Sequence, residues 1–193
     1  MELALKNKTY KVSNLKVEKL IREASDNFSY NRNYDLAMDQ IDEALSIEPL
    51  NVKALILKGD ILFCTDMDQE ALEYFDAAIK ADPYSAEAYG SKAGTLDVLG
   101  HYDEALKFCD RAFELVSIKD KFLLPSLFDQ KIALLIRMRK FEEAKKTLNR
   151  SVRMLPDDES SYLCSCYQGM IESSCRLRRK KLAQAEKLSL KVI

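Results

Sequence analysis

Cys164, Cys166 and Cys175 are the most closely spaced thiols in the chain, and His101 is its single imidazole. Thiols and imidazoles are the groups that hold zinc or serve as nucleophile and base. A structural zinc site needs ligand pairs roughly two to four residues apart, with further ligands from elsewhere. A Cys-x-Cys pair on a helix directs its thiols about 200° apart, and His101 lies more than sixty residues earlier. The spacing therefore reads as small apolar thiols packed in a core, and neither a metal nor a cofactor is expected. His101 stands in the turn Leu99-Gly100-His101-Tyr102, where a polar residue needs no chemical role. The carboxylate pairs Asp157-Asp158 and Glu142-Glu143 fall at helix starts, where capping and the helix dipole account for them. The sequence holds no Gly-rich phosphate loop, no H-E-x-x-H and no nucleophile elbow. The chain is accordingly expected not to be an enzyme.

Charge is balanced overall but not along the chain. Thirty basic and 31 acidic residues give net −1, which supplies no global field for nucleic acid. Residues 174–193, however, carry Arg176, Arg178, Arg179, Lys180, Lys181, Lys187 and Lys191 against Glu186 alone, a net of +6 that leaves −7 on the rest. A basic helix with an apolar stripe can dock on anionic membrane, nucleic acid or an acidic partner. The same residues also suit a solvated capping helix whose charge favours its own C-terminal dipole, or a tail paired with the acidic body. The stretch has no aromatic residue on which bases would stack. Its apolar residues Leu188, Leu190, Val192 and Ile193 open a route to a homo-oligomer.

The elements that must carry these groups are helices. The chain has 193 residues, 47% of them hydrophobic and 32% charged, which excludes a disordered class. Five glycines and four prolines are few for a fold built on tight turns. No apolar stretch approaches the roughly 18 residues of a membrane span. The N-terminal run Met1-Glu2-Leu3-Ala4-Leu5-Lys6 is too short and too charged for a signal-peptide core. With an odd count of five cysteines, a reducing, cytoplasmic setting is expected.

An internal repeat dominates the pattern. Ala37, Ala71 and Ala105 are each 34 residues apart, as are Ala44, Ala78 and Ala112, and as are Pro49 and Pro83. A fourth copy, Phe141-Glu142-Glu143-Ala144-Lys145, follows after 39 residues, and its unit ends at Pro156. Spacings of three and four join Leu55, Gly59 and Leu62, then Ala71, Phe75 and Ala78, so each unit holds two helices. Small residues at the crossings let backbones approach, and a lone hairpin cannot bury its apolar face without neighbours. Helices are expected near 15–30, 34–47, 52–64, 68–81, 86–98, 102–115, 122–138, 141–154, 159–178 and 181–192. The five extra residues fall around 117–124.

This pattern closely resembles the tetratricopeptide repeat family. The second unit carries the signature as Leu55, Gly59, Leu62, Ala71, Phe75, Ala78 and Pro83. The first gives Ile21, Ser25, Phe28, Ala37, Ile41, Ala44 and Pro49, and the third gives Tyr89, Ala93, Leu96, Ala105, Cys109 and Ala112. The fourth gives Phe128, Ile132, Leu135, Ala144, Leu148, Val152 and Pro156. Ile132 and Val152 stand where the family has small residues. The resemblance implies an all-α, right-handed superhelical solenoid of antiparallel helix pairs. It divides the chain into an N-terminal extension at 1–15, repeats at 16–50, 51–84, 85–118 and 119–156, and a divergent fifth hairpin at 157–193. That hairpin would cap the stack and carry the basic tail.

The resemblance also implies a non-catalytic interaction module or adaptor whose first helices line a concave groove for a partner's peptide or helix. The matching positions are Lys19, Arg22 and Asp26, then Lys53, Ile56, Asp60 and Phe63, then Glu87, Gly90, Gly94 and Asp97, then Asp129 and Ile136, and Tyr167 from the last segment. Gly90 and Gly94 would admit either a ligand backbone or a tight helix crossing. Relatives that grip a chaperone's C-terminal carboxylate do so with Lys, Asn and Arg. The matching positions here are Arg22, Asp26, Leu57, Glu87 and Ser91, of which one is basic and two are acids that repel a carboxylate. No such clamp, and hence no chaperone-tail partner, is expected. The alternative is an electrostatic adaptor that binds nucleic acid or anionic membrane through its basic C-terminus.

Overall fold

Apolar residues recurring every three or four positions, punctuated by Asn, Ser, Gly and Pro, dictate short paired helices, and a computed structural model shows them. It describes the backbone of residues 2–189 and the side chains of residues 14–177 and of Lys180. The helices are α1 (Glu2–Asp26), α2 (Tyr34–Ile47), α3 (Val52–Cys64), α4 (Asp68–Ala81), α5 (Ala86–Val98), α6 (Tyr102–Leu115), α7 (Leu124–Arg137), α8 (Phe141–Met154) and α9 (Asp157–Ser189). Among the described residues there is no strand. The bounds of α2 to α6 and of α8 coincide with the periodicity. The extra residues of the fourth repeat form a loop and a single 3-10 turn, Lys121–Leu123, before α7.

The chain divides into two compact units, residues 1–115 and 116–193. In the first, α1 packs on α2, α3 on α4 and α5 on α6, while α3 also touches α1 and α5. The first helices of the three pairs thus lie side by side. The small residues predicted at the crossings, Ala37, Ala44, Ala71, Ala78, Ala105 and Ala112, are fully buried. Gly59 shows why a small residue is needed: a Cβ there would lie 2.5 Å from the buried Phe75 ring. Asn51 and Ser85 cap α3 and α5, accepting hydrogen bonds from the amides of Ala54 and Ala88 at 3.2 and 3.3 Å.

A left-handed residue closes the first helix of each hairpin. It is Arg32 (φ 50°), Asp66 (φ 61°), Gly100 (φ 80°) and Arg139 (φ 58°), in the same register as the alanines. At three of these turns the next amide donates five residues back: Met67 to Leu62, His101 to Leu96, and Lys140 to Leu135, at 2.8–2.9 Å. This ties off carbonyls the helix end would leave unpaired. The first hairpin is one residue wider. A π-turn at Asn27–Asn31 precedes Arg32, and the Asn33 amide reaches back six residues to Asn27.

Two cationic staples tie consecutive helices in the first unit. Lys58 on α3 bonds Asp42 on α2 and stands 4.7 Å over the Tyr74 ring of α4. One repeat later, Lys92 on α5 bonds Asp76 on α4 and stands 4.4 Å over the Phe108 ring of α6. Burial works against the Lys58 charge, but Asp42 and Tyr74 outweigh it and raise its pKa.

In the second unit, α8 packs on both α7 and α9, and α7 also meets α9. Four expectations change here and at the N-terminus. Residues 157–189 do not fold back as a hairpin: α9 is one helix from Asp157 to Ser189. The stretch Arg176-Leu177-Arg178-Arg179-Lys180-Lys181-Leu182-Ala183 is all strong helix formers, without the Gly, Asn or Pro that would break it. The small residue of the fourth repeat is the fully buried Ser151, whereas Val152 is exposed. Ser151 tolerates burial because its hydroxyl donates to the Leu148 carbonyl at 2.8 Å. In α1 it is Ala24, not Ser25, that is fully buried. Segment 1–15 is the continuation of α1 from Glu2, since nothing in it stops a helix. The C-terminal residues 190–193, and the side chains of Arg178, Arg179, Lys181 and Leu188, lie outside the described residues.

Candidate partner-binding site

The groove positions expected on the first helices separate into distinct environments. Arg22 and Asp26 from α1 and Lys53 from α3 converge on one cavity of about 690 Å3, with Ile21 and Val52 supplying apolar wall and Asn51 and Ser25 polar wall. Glu18 and Glu48 complete a nearly charge-balanced rim. Lys19 is exposed and pairs with Glu23 at 3.5 Å.

Ile56 is not groove surface. It is 3% exposed and belongs to the core built on Leu55, Leu62, Ala71 and Phe75, with Phe63 packed half-buried against it. Because α3 is flanked by α4, α2, α5 and α1, its buried arc is wide enough to take in Ile56 beside Leu55. Asp60, four residues on, has its carboxyl group largely enclosed. Burial pushes its pKa up to about 7; a hydrogen bond with Ser91 acts the other way, and the neighbouring Glu87 raises it further. Burial, helped by the Asp60 charge, likewise raises the Cys64 thiol. On α5, Glu87 is exposed and Gly90, Gly94 and Asp97 are half-buried.

In the second unit, Tyr167 on α9 donates to the Asp129 carboxylate on α7 at 2.8 Å. Burial and that bond push the Tyr167 phenol well above its usual range. Beside this pair lies a cavity of about 430 Å3. Pro125, Ser126 and Asp129 of α7 line one side, and Asp158, Glu159, Tyr162 and Leu163 of α9 the other. Ile136 is half-buried farther along α7. Of the basic tail, Arg176 and Lys180 are exposed, and Arg176 reaches Glu172 at 3.4 Å on the same helix.

Sequence reasoning missed the two staples, although Asp42/Asp76, Lys58/Lys92 and Tyr74/Phe108 all recur at the 34-residue interval. It also missed the cavity on α7 and α9, because the fourth and fifth segments depart from the common register. Cys164 is half-buried, Cys166 exposed and Cys175 buried. Among the described residues, no three His, Cys, Asp or Glu side chains stand where they could share a metal ion. No described helix is long and apolar enough to cross a membrane.

Paired helices in 34-residue register, fully buried small residues at the crossings and a repeated left-handed turn are features this chain shares with a known repeat family. The tetratricopeptide repeat sequence profile matches residues 22–86 and 68–115. Residues 22–115 belong to the tetratricopeptide repeat family. It is 30% identical over 93 residues to the human protein O-mannosyl-transferase TMTC1, a match covering 46% of this chain and 10% of that protein. The chain thus corresponds to about a tenth of that relative's length. Among solved structures, the pilF protein of Pseudomonas aeruginosa superposes with TM-score 0.66 at 19% identity, over 89% of this chain and 77% of that one. The TPR2B domain of yeast Sti1, solved in complex with pHsp70, superposes with TM-score 0.58 at 18% identity, over 64% of this chain and 98% of the domain. These likenesses establish an all-α repeat of adjacent helix pairs, a fold that supports protein–protein interaction and scaffolding.

Proposed function

We propose that this chain is a non-catalytic adaptor that holds a peptide segment or helix of another protein against the first helices of its repeats. The observation that carries this reading is the open cavity between α1 and α3, where the Arg22, Asp26 and Lys53 side chains gather over an apolar floor. Mixed charge over apolar wall is the composition of a peptide-recognition surface, in which pockets anchor side chains and polar groups set register. The Sti1 domain is one relative in fold whose structure contains a protein ligand. The partner here is not a chaperone tail: Asp26 and Glu87 stand at clamp positions, and Ser91 is engaged by Asp60. The five free thiols support a reducing, cytoplasmic setting.

The test is affinity capture by the full chain beside a variant carrying Arg22→Glu and Lys53→Glu. Both side chains are exposed, so the variant should fold with unchanged circular dichroism and lose its captured protein. Undiminished capture would move the site off this face. A second reading, docking on nucleic acid or anionic membrane, is favoured by the exposed Arg176 and Lys180 within the +6 segment. Truncation before Arg176 should then abolish an association that falls steeply with salt. Salt-insensitive binding would dismiss it.

A further inference from the structure

The groove between the starts of α7 and α9 has an apolar floor and an acidic rim. Leu163, 2% exposed, and Pro125 form apolar wall, and the Tyr162 ring stands exposed at the mouth. Asp129, Asp158 and Glu159 bring three carboxylates to a cavity of about 430 Å3, and no basic side chain lines it. The first turn of α9 explains Asp158 and Glu159 as acids at a helix N-terminus. It does not explain Asp129, which sits in the second turn of α7 and is held in place by the Tyr167 hydroxyl at 2.8 Å. A neutral or anionic guest would leave those charges uncompensated over a largely apolar wall, at a cost. A cation on an aliphatic stem matches every part: stem on Leu163 and Pro125, charge between the carboxylates, and Tyr162 offering its ring face.

We propose that this groove binds a lysine or arginine side chain of a basic segment in a partner protein. The inference rests on the adaptor reading and names a second contact for it. The chain's own basic tail does not reach the groove while α9 is intact. Arg176, the first residue of that tail, is fourteen residues beyond Tyr162 on one helix, about 21 Å along its axis.

The probe is an end-blocked hexalysine peptide, with hexanorleucine made soluble by a neutral glycol tail as control. Titrated into the full chain at low salt, hexalysine should shift amide resonances of residues 126–129 and 158–163. Asp129→Asn with Glu159→Gln should weaken it about tenfold, and Tyr162→Ala several-fold. The equal charge loss Asp103→Asn with Glu104→Gln, on exposed α6 residues, should leave the affinity unchanged. Equal weakening by both double variants would mean diffuse attraction to an acidic surface and overturn the proposal. So would equal binding of the norleucine control, or shifts confined to other segments. If wild type is a dimer that Asp129→Asn/Glu159→Gln dissociates, the occupant is a second copy and the proposal fails. The adaptor reading is judged separately, because Arg22→Glu/Lys53→Glu acts on the other unit.

Discussion

Replacing Gly59 and Gly169 by alanine, one at a time, applies the same chemistry at two helical sites and should give opposite signs. Alanine is favoured over glycine in a helix by about 1 kcal/mol. Gly169 lies on the exposed side of α9, and a Cβ there meets nothing within 4 Å. Gly169→Ala should therefore stabilise by most of that amount. At Gly59 the added Cβ would stand 2.5, 2.8 and 2.9 Å from three carbons of the Phe75 ring. That ring is 1% exposed and boxed in by Leu55, Leu62, Ala71 and Ala78, so it must shift by roughly 1 Å against a packed core. Overpacking of this kind costs about 1–3 kcal/mol, which outweighs the gain in propensity. The expected net loss is about 1 kcal/mol, or about 2–4 °C in Tm for a chain of this length. Combining Gly59→Ala with Phe75→Leu should recover part of it, because the smaller side chain vacates the contested space. Urea denaturation followed by circular dichroism reads the whole chain, and hydrogen exchange on α3–α4 and on α9 assigns each change to its unit. If Gly59→Ala stabilised as much as Gly169→Ala, the close crossing of α3 and α4 would be wrong, and with it the account of every small residue in the repeat.

Four further outcomes are expected. Asp60 has a folded pKa of about 7 against 3.8 for the ordinary group, so the fold holds this proton more tightly than the unfolded chain. Its contribution is present below about pH 4 and is lost as pH rises to 7, with a ceiling of about 4 kcal/mol. Asp60→Asn should flatten that decline and leave the variant the more stable at pH 8, as measured by urea midpoints across pH. Lys58→Met and Lys92→Met keep the aliphatic stem but remove the ion pair and the ring contact. Each should cost about 1 kcal/mol, less at high salt, because the acidic partners are half exposed. Asp66→Gly and Arg139→Gly should be neutral to stabilising by up to about 1 kcal/mol, and Gly100→Ala destabilising by about as much, in thermal melts. A peptide ending in a chaperone-like acidic tail should show no micromolar binding by calorimetry, and measurable affinity would refute the argument from Asp26 and Glu87.

The sequence exposed the helices because their boundary signals are local. Asn51, Ser85, Pro49 and Pro83 mark termini whatever packs around them, and alanines at 34-residue spacing survive only where backbones touch. The site was less legible, because exposure depends on which neighbouring helix covers each turn of a face, and the face alone does not show that. Ile56 and Asp60 share one face of α3, yet Ile56 lies in the core while Asp60 faces Ser91 and Glu87 on α5. Ser151 was hidden behind Val152 because a hydroxyl is read as polar until its bond to Leu148 is seen. The long α9 was missed because a repeat register expects a second helix after about twenty residues, whereas the local residues only propagate the first.

The left-handed turns show how the repeat holds its shape where its sequence does not. Only Gly100 among the four, having no Cβ, adopts positive φ freely; Arg32 and Arg139 adopt it at a cost of about 1–2 kcal/mol each, and Asp66 at a smaller one. That cost is borne because the two helices of each hairpin are already fixed by their buried alanines, so the connection takes whatever conformation spans them. The hydrogen bonds from Met67, His101 and Lys140, all five residues back, are then consequences of helix packing rather than of turn-forming residues. Insertions of several residues should be admitted between hairpins, where no left-handed turn is required, whereas within a hairpin the π-turn at Asn27–Asn31 takes up a single extra residue. The five extra residues of the fourth repeat obey this rule: they lie before α7, whereas the α7–α8 turn at Arg139 keeps the geometry of Asp66 and Gly100.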